Sequence, residues 1–235
     1  MFKEWVKKIL LGKRYSSESY INYLRGIGVK IGEDCVIYVP SKTLIDEQYP
    51  WMITIGDHVR VTEGVKILTH DYSWMVIKNV AGPILGASGK VEIGNNVFIG
   101  MNTVICRNVN IGDNVIIGAG SVVTRDCDSN GVYAGVPAKR IMSLTEYEDK
   151  RNKCQLKEAV SLAREYYKRY GKKPEKEIFN EYFTLFEIKN SVDKNEAFKR
   201  KIRLGGSEEL TMKFLSKSKP IFKDYTAFLE YCFKE

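Results

Sequence analysis

From Ile93 onward the chain repeats every six residues, as IGNNVF, IGMNTV, ICRNVN, IGDNVI, IGAGSV and VTRDCD. The first position holds Ile93, Ile99, Ile105, Ile111, Ile117 and Val123, and Gly follows at 94, 100, 112 and 118. The fifth position holds only small or β-branched residues or cysteine: Val97, Thr103, Val109, Val115, Ser121 and Cys127. An earlier block keeps the period through Ile55, Val61 and Ile67, with Val59 and Val65 at position five and with Ile31 and Ile37 in register. Six fits neither the 3.6-residue period of a helix nor the two-residue period of a strand. It predicts a triangular coil in which each hexapeptide forms one side and turns one corner. The aliphatic first residue then points inward, and Gly or Asn relieves the turn. Three hexapeptides complete a coil, and stacked coils pair as parallel strands around a column of Ile and Val.

The period fails twice. Residues 40–52 (PSKTLIDEQYPWM) lack the pattern and predict a bulged, irregular coil. Residues 71–90 (DYSWMVIKNVAGPILGASGK) form an excursion loop, because Ile55 and Ile93 lie 38 apart, two more than a multiple of six. Long insertions on a rigid repeat scaffold often carry function. This one opens beside His70, one of only two histidines; His58 is the other. Imidazole is the side chain that titrates near neutrality, which suits it to general acid–base work. His58 lies two sides of a coil before His70, so the two fall on different faces, and His58 reads as a surface turn residue. Asp71 is next to His70, but neighbours on a strand point to opposite sides. A backbone carbonyl or a carboxylate from elsewhere is at least as good an orienter of the imidazole.

Composition narrows the class. The chain has 235 residues, 44% hydrophobic and 28% charged, as in ordinary globular domains. The formal net charge is +8, and residues 1–30 hold seven Lys/Arg against two acids. A basic N-terminus suggests an anionic neighbour. Five cysteines without CxxC spacing argue against a disulfide framework and for a reducing compartment. No apolar run is long enough for a transmembrane helix. Phe2, Trp5, Val6, Ile9 and Leu10 share one stripe of a basic amphipathic N-terminal helix. Its two readings are a helix docked on the body or a partner subunit, and a helix lying at a membrane surface. The expected location is cytoplasmic, with the second reading placing the chain peripherally at the inner face of the membrane.

The repeats, with ILTHDYSW at 67–74 and IGAGSVVTRD followed by VYAGVPAKRI, resemble the hexapeptide-repeat acyltransferases over roughly residues 29–143. The resemblance implies a mainly β fold: a left-handed parallel β-helix, with a short N-terminal helix (1–28) and a C-terminal α-helical extension (144–235). The handedness comes from the resemblance, an exception to right-handed crossovers. It also implies an acetyl-CoA-dependent O-acetyltransferase in which His70 matches the catalytic base and transfer is direct, in a ternary complex. Coenzyme A would lie in a groove between two subunits of a homotrimer, along Gly100, Met101, Gly118, Ala119 and Ala134, with Gly120 and Gly135 adding to this small-residue path. Lys139 and Arg140 match the basic pair that would hold its phosphates. Phe98 stands where many members have a large aromatic. Tyr72 and Trp74 would line the site of a saccharide acceptor, and no metal is implied. Capsule, exopolysaccharide and lipopolysaccharide assembly are the settings this suggests.

Residues 144–235 depart from the family pattern. Gly thins out and aromatics concentrate, predicting three to five helices with an aromatic core. PEKEIFNEYFTLFE has helical spacing with Pro174 suited to a first turn, and Ser207 reads as an N-cap. No basic–aromatic nucleic-acid motif is visible. The rival functions are N-acetylation of an amino-sugar nucleotide, acetylation of an antibiotic such as chloramphenicol, and a non-catalytic assembly protein. A zinc carbonic anhydrase on the same prism fits poorly, because it needs three histidines.

Overall fold

The computed structural model describes residues 2–192 and 194–234, with side chains from Trp5 onward. Phe2, the first member of the N-terminal stripe, lies outside the described side chains. The chain divides into two compact units, residues 1–147 and 148–235.

The first unit opens with α1 (Phe2–Leu11), a 3-10 turn at Gly12–Arg14, and α2 (Ser17–Ile27). Ser16 caps α2 by accepting from Ser19 N–H, and Gly28 ends it at φ 112°. Four coils follow. They contain β1 (Lys30–Ile31), β2 (Val36–Ile37) and β3 (Leu44–Ile45); β4 (Ile53–Ile55), β5 (Arg60–Val61) and β6 (Lys66–Ile67); then, after an arm of β7 (His70–Asp71), α3 (Trp74–Ala81) and β8 (Ala87–Ser88), β9 (Val91–Ile93), β10 (Phe98–Ile99) and β11 (Val104–Ile105); and finally β12 (Val109–Ile111), β13 (Val115–Ile117) and β14 (Val122–Val123). A hairpin of β15 (Gly131–Gly135) and β16 (Ala138–Ser143) ends the stack.

The strands assemble into three parallel faces. Face one is β1-β4-β9-β12, face two is β2-β5-β10-β13-β15 with β16 antiparallel at its edge, and face three is β3-β6-β11-β14. Phe98 pairs with Ile116 and Val104 with Val122, the 18-residue advance expected of one coil. Ile99, Ile105, Ile111 and Ile117 are fully buried, and burying such a side chain is worth about 1.5–3 kcal/mol. Tyr20, Ile21 and Leu24 of α2 join the same cluster.

The corners explain the Asn and Gly positions. Asp34, His58, Asn96, Asn114 and Asn130 occupy one corner, each left-handed with φ between 49° and 58°. Asn and Asp tolerate that region because their short side chains bond locally. Here they bond along the stack: Asn96 Nδ2 donates to Asn114 Oδ1 (2.9 Å) and Asn114 Nδ2 to Asn130 Oδ1 (3.0 Å). His58 occupies the same ladder and pairs through Nδ1 with Asp34 (3.0 Å).

The two interruptions differ in form. Residues 40–52 stay in the stack as 3-10 turns at Pro40–Lys42 and Pro50–Met52 around β3. The second is an arm rather than a loop: β7 and β8 pair antiparallel at its base, and α3 lies between them with no buried residue.

The second unit contains most of α4 (Leu144–Tyr170), which crosses the boundary, with α5 (Lys189–Val192), α6 (Glu196–Arg203), α7 (Glu208–Lys217) and α8 (Tyr225–Cys232). Phe179, Phe183, Phe186, Phe198 and Phe228 form its buried core. Two expectations fail here. The segment after Pro174 is not an α-helix but 3-10 turns at Lys176–Phe179 and Phe183–Leu185, because packing Phe179, Phe183 and Phe186 into one core overrides helical spacing. Ser207 precedes α7 but does not cap it: at φ 58° its hydroxyl makes no bond to the helix, since capping needs an extended backbone.

Candidate active site

His70 sits at the corner between faces three and one, where β6 leaves the second coil and the arm begins. Its Nδ1 meets Asp46 Oδ2 at 2.5 Å. Asp46 comes from the irregular first coil, directly beneath, and is 6% exposed. Its Oδ2 also accepts from Thr69 N–H (3.0 Å) and the Thr69 hydroxyl (2.5 Å), and its Oδ1 from Gln48 N–H (2.9 Å). Burial pushes the Asp46 carboxyl upward. The donors of Thr69, Gln48 and His70 together outweigh it and hold the carboxyl below its ordinary value. A carboxylate only accepts, so Nδ1 carries the hydrogen and Nε2 presents a lone pair.

This sets a pH dependence of stability. The folded value of Asp46 lies below the unfolded one, so its contribution is present above about pH 4 and is lost as pH falls through the folded value. Thermal unfolding of the wild type is expected to weaken more steeply on acidification than that of Asp46→Asn. Parallel melting curves below pH 5 for the two proteins would contradict this.

Three consecutive side chains of the first coil hold three different elements. Asp46 holds His70. Glu47 accepts from Lys13 Nζ (2.6 Å), Arg14 Nη2 (3.0 Å) and Tyr23 Oη (2.8 Å), tying down the N-terminal segment. Gln48 accepts from Tyr72 Oη (2.6 Å). An aromatic row runs from Trp51 through Tyr49, the His70 ring and Tyr72 to Trp74, with centroids 5.1–6.2 Å apart. Asp71 points away from this cluster. Its carboxylate accepts from Ser73 N–H (2.9 Å) and Arg107 Nε (3.0 Å), and Ser73 with the Arg107 guanidinium holds it down at about 2.

Two clefts meet at His70. One, of about 410 Å³, continues up the stack past Cys106, Arg107 and Thr124. The other, of about 500 Å³, opens toward Leu44, Glu47, Arg14 and Tyr72.

The small residues singled out from the sequence lie on another corner, between faces two and three. Met101 and Ala119 are stacked there, with Gly120 N–H donating to Met101 O (2.7 Å). Gly100 is buried, and both it and Gly118 are needed by the stack itself: a Cβ on Gly100 would lie 2.8 Å from Ala119 Cα, and one on Gly118 2.9 Å from Ala134 Cβ. Ala119, Gly120 and Gly135 are exposed and leave a strip poor in side chains, with the exposed Met101 beside it. Lys139 is the cross-strand partner of Ala134, and Arg140 donates to Asn130 O (3.3 Å); both are exposed. Phe98 is exposed on face two. The structure thus brings together His70, Tyr72 and Trp74, and separately Met101, Ala119, Ala134 and Lys139, with face three between the two groups.

Among the described residues no group of three or more His, Cys, Asp or Glu is placed to hold a metal, and no helix is long and apolar enough to cross a membrane.

Residues 90–125 match the bacterial transferase hexapeptide family (six repeats). Protein CapG of Staphylococcus aureus is 44% identical over 148 residues, covering 62% of this chain and 83% of CapG. Among solved structures, the maltose O-acetyltransferase of Clostridium difficile is 26% identical with a TM-score of 0.41, covering 60% of this chain and 81% of that one. A galactoside acetyltransferase in complex with coenzyme A is 26% identical with a TM-score of 0.44, covering 63% and 83%. With its hexapeptide repeats matched and a relative at this identity aligned over most of that relative's length, the chain belongs to the bacterial hexapeptide-repeat transferases.

Proposed function

We propose that the protein is an O-acetyltransferase that moves an acetyl group from acetyl-CoA to a saccharide hydroxyl, with His70 as general base. The observation that carries this is the His70–Asp46 pair, which leaves Nε2 open where two clefts meet. Acetyl-CoA supplies an activated thioester. Nε2 takes the proton of the acceptor hydroxyl as its oxygen attacks the thioester carbonyl. The same proton then passes to the departing thiolate, so imidazole ends as it began. Asp46 holds the ring in the required tautomer and faces the imidazolium formed in between. The cleft past Arg107 and Thr124 suits the extended donor. The cleft beside Tyr72, with its aromatic row, suits a sugar ring.

The strip of Met101, Ala119 and Ala134, with Lys139 and Arg140 at its end, fits a slender chain ending in phosphates. It lies across face three from His70, so a donor touching both needs two chains side by side. The exposed apolar side chains of the arm, among them Val76, Val80 and Ile84, favour such an assembly. A homotrimer with three shared sites, as the family resemblance implies, meets this requirement. Product analysis with labelled acetyl-CoA and a panel of mono- and oligosaccharides is expected to find O-acetyl esters. Exclusive amide products, or full activity in a species that sediments as a monomer, would overturn the respective parts.

A further inference from the structure

The second unit carries a basic cleft that the proposed chemistry does not use. It is about 490 Å³ and lies between α4 and the end of α8. Lys153, Lys157 and Arg164 line it from one side of α4, and Lys234 from beyond α8. Leu156 and Val160 form its floor, and Tyr231, 47% exposed, stands in its wall. Among the described residues no acidic side chain lines it.

The α4 positions follow helical spacing, so 153, 157, 160 and 164 share one face. Arg164 is partly committed, because its Nε donates to Cys232 O (2.7 Å) and caps the end of α8. Lys153, Lys157 and Lys234 make no ion pair or side-chain hydrogen bond among the described residues, so three ammonium groups surround one hollow. Like charges held close repel, and an arrangement without a counter-charge is complementary to an anion. The concave shape and the aromatic wall define the rest of the ligand. Flat apolar ring faces pack on tyrosine, and a sugar presents such faces while its acidic substituents point outward.

We infer that this cleft binds an acidic saccharide, with Tyr231 against a sugar face and Lys153, Lys157 and Lys234 on its carboxylates or phosphates. The inference deepens the proposed function: the helical unit would hold the chain whose hydroxyl is acetylated. It rests on that reading for the link to the reaction, but the binding can be measured without it.

The test is calorimetric titration of the full chain with tetragalacturonate, fructose 1,6-bisphosphate and neutral maltotetraose, alongside co-sedimentation with phosphatidylglycerol vesicles and titration with oligothymidylate. Tetragalacturonate or the bisphosphate is expected to bind and maltotetraose not; which of the two binds identifies the anionic group. A Lys153→Glu/Lys157→Glu variant is expected to lose roughly tenfold or more in affinity, and added salt to weaken binding in the wild type. Lys234→Glu is expected to act in the same direction, so the result does not depend on one variant. The loss of anion binding in these variants is read by calorimetry without any turnover measurement, and His70→Ala should keep wild-type affinity for the same anion. The two readings therefore fail separately. Equal binding of maltotetraose, no binding of either anion, indifference to the lysine variants, or tighter binding of vesicles or oligothymidylate would each overturn the inference.

Discussion

His70→Ala is expected to lower kcat for acetyl transfer by about 10²–10⁴-fold, the usual contribution of a positioned general base. KM for acetyl-CoA should stay within about threefold, since on the proposed mechanism the imidazole acts on the acceptor proton and does not anchor the donor's phosphates. Asp46→Asn tests the second half of the pair. Oδ2 faces three donors, from Thr69 N–H, the Thr69 hydroxyl and His70 Nδ1. An amide nitrogen there would point hydrogens at hydrogens, and an amide turned the other way would leave Gln48 N–H opposed. In the first orientation the ring loses its tautomer; in the second it keeps the bond but loses the negative charge that faces the imidazolium, and a loss of kcat comparable in order is expected. Because both residues act as one unit, Asp46→Asn should cost little more in a His70→Ala background. Additive losses in the double variant, or an Asp46→Asn enzyme within about threefold of wild type, would assign Asp46 to the fold alone.

Gly100→Val is expected to be the most damaging single change to the prism, at about 4 kcal/mol or more. A Cβ there would lie 2.8 Å from both Ala119 Cα and the Gly118 carbonyl carbon. These are backbone atoms of the next coil, so no side chain can swing aside, and relief requires prising two coils apart. For a unit of this size that corresponds to a fall in Tm of roughly 10 °C. Gly26→Ala is the control. It adds a Cβ with nothing within 4 Å inside helix α2, and it should be neutral or stabilising by up to about 1 kcal/mol. Similar melting temperatures for Gly100→Val and the wild type would show that the coils are not in this close register.

The fold was legible wherever the period held. Ile93 through Val123 specify inward positions at six-residue spacing, and the strands pair in that register. The Asp46–His70 contact was not legible in the same way, because its partners are 24 residues apart and meet through a coil that breaks the pattern. A signal was present. The first interruption surrounds the third side of one coil and the second leaves from the third side of the next, so the two meet at one corner, and a site assembled from two adjacent irregularities follows from that. Two acidic residues, Asp46 and Glu47, stand in IDEQYPWM, and Asp46 is the one that meets His70. The failures at Pro174 and Ser207 have another origin. Local spacing there competed with a small aromatic core and with two preceding glycines at positive φ, and tertiary packing decided.

The hairpin at the top of the stack has a consequence for how copies can associate. A parallel face ends in a row of unsatisfied backbone groups, an open template for the next strand, whether from the same chain or another. On face two that row is taken up by β16, which runs back against β15 in the opposite direction. End-on growth into a filament is blocked along this face, and a new molecule has to approach flank to flank. Arrangements that close on themselves are then favoured over open-ended ones.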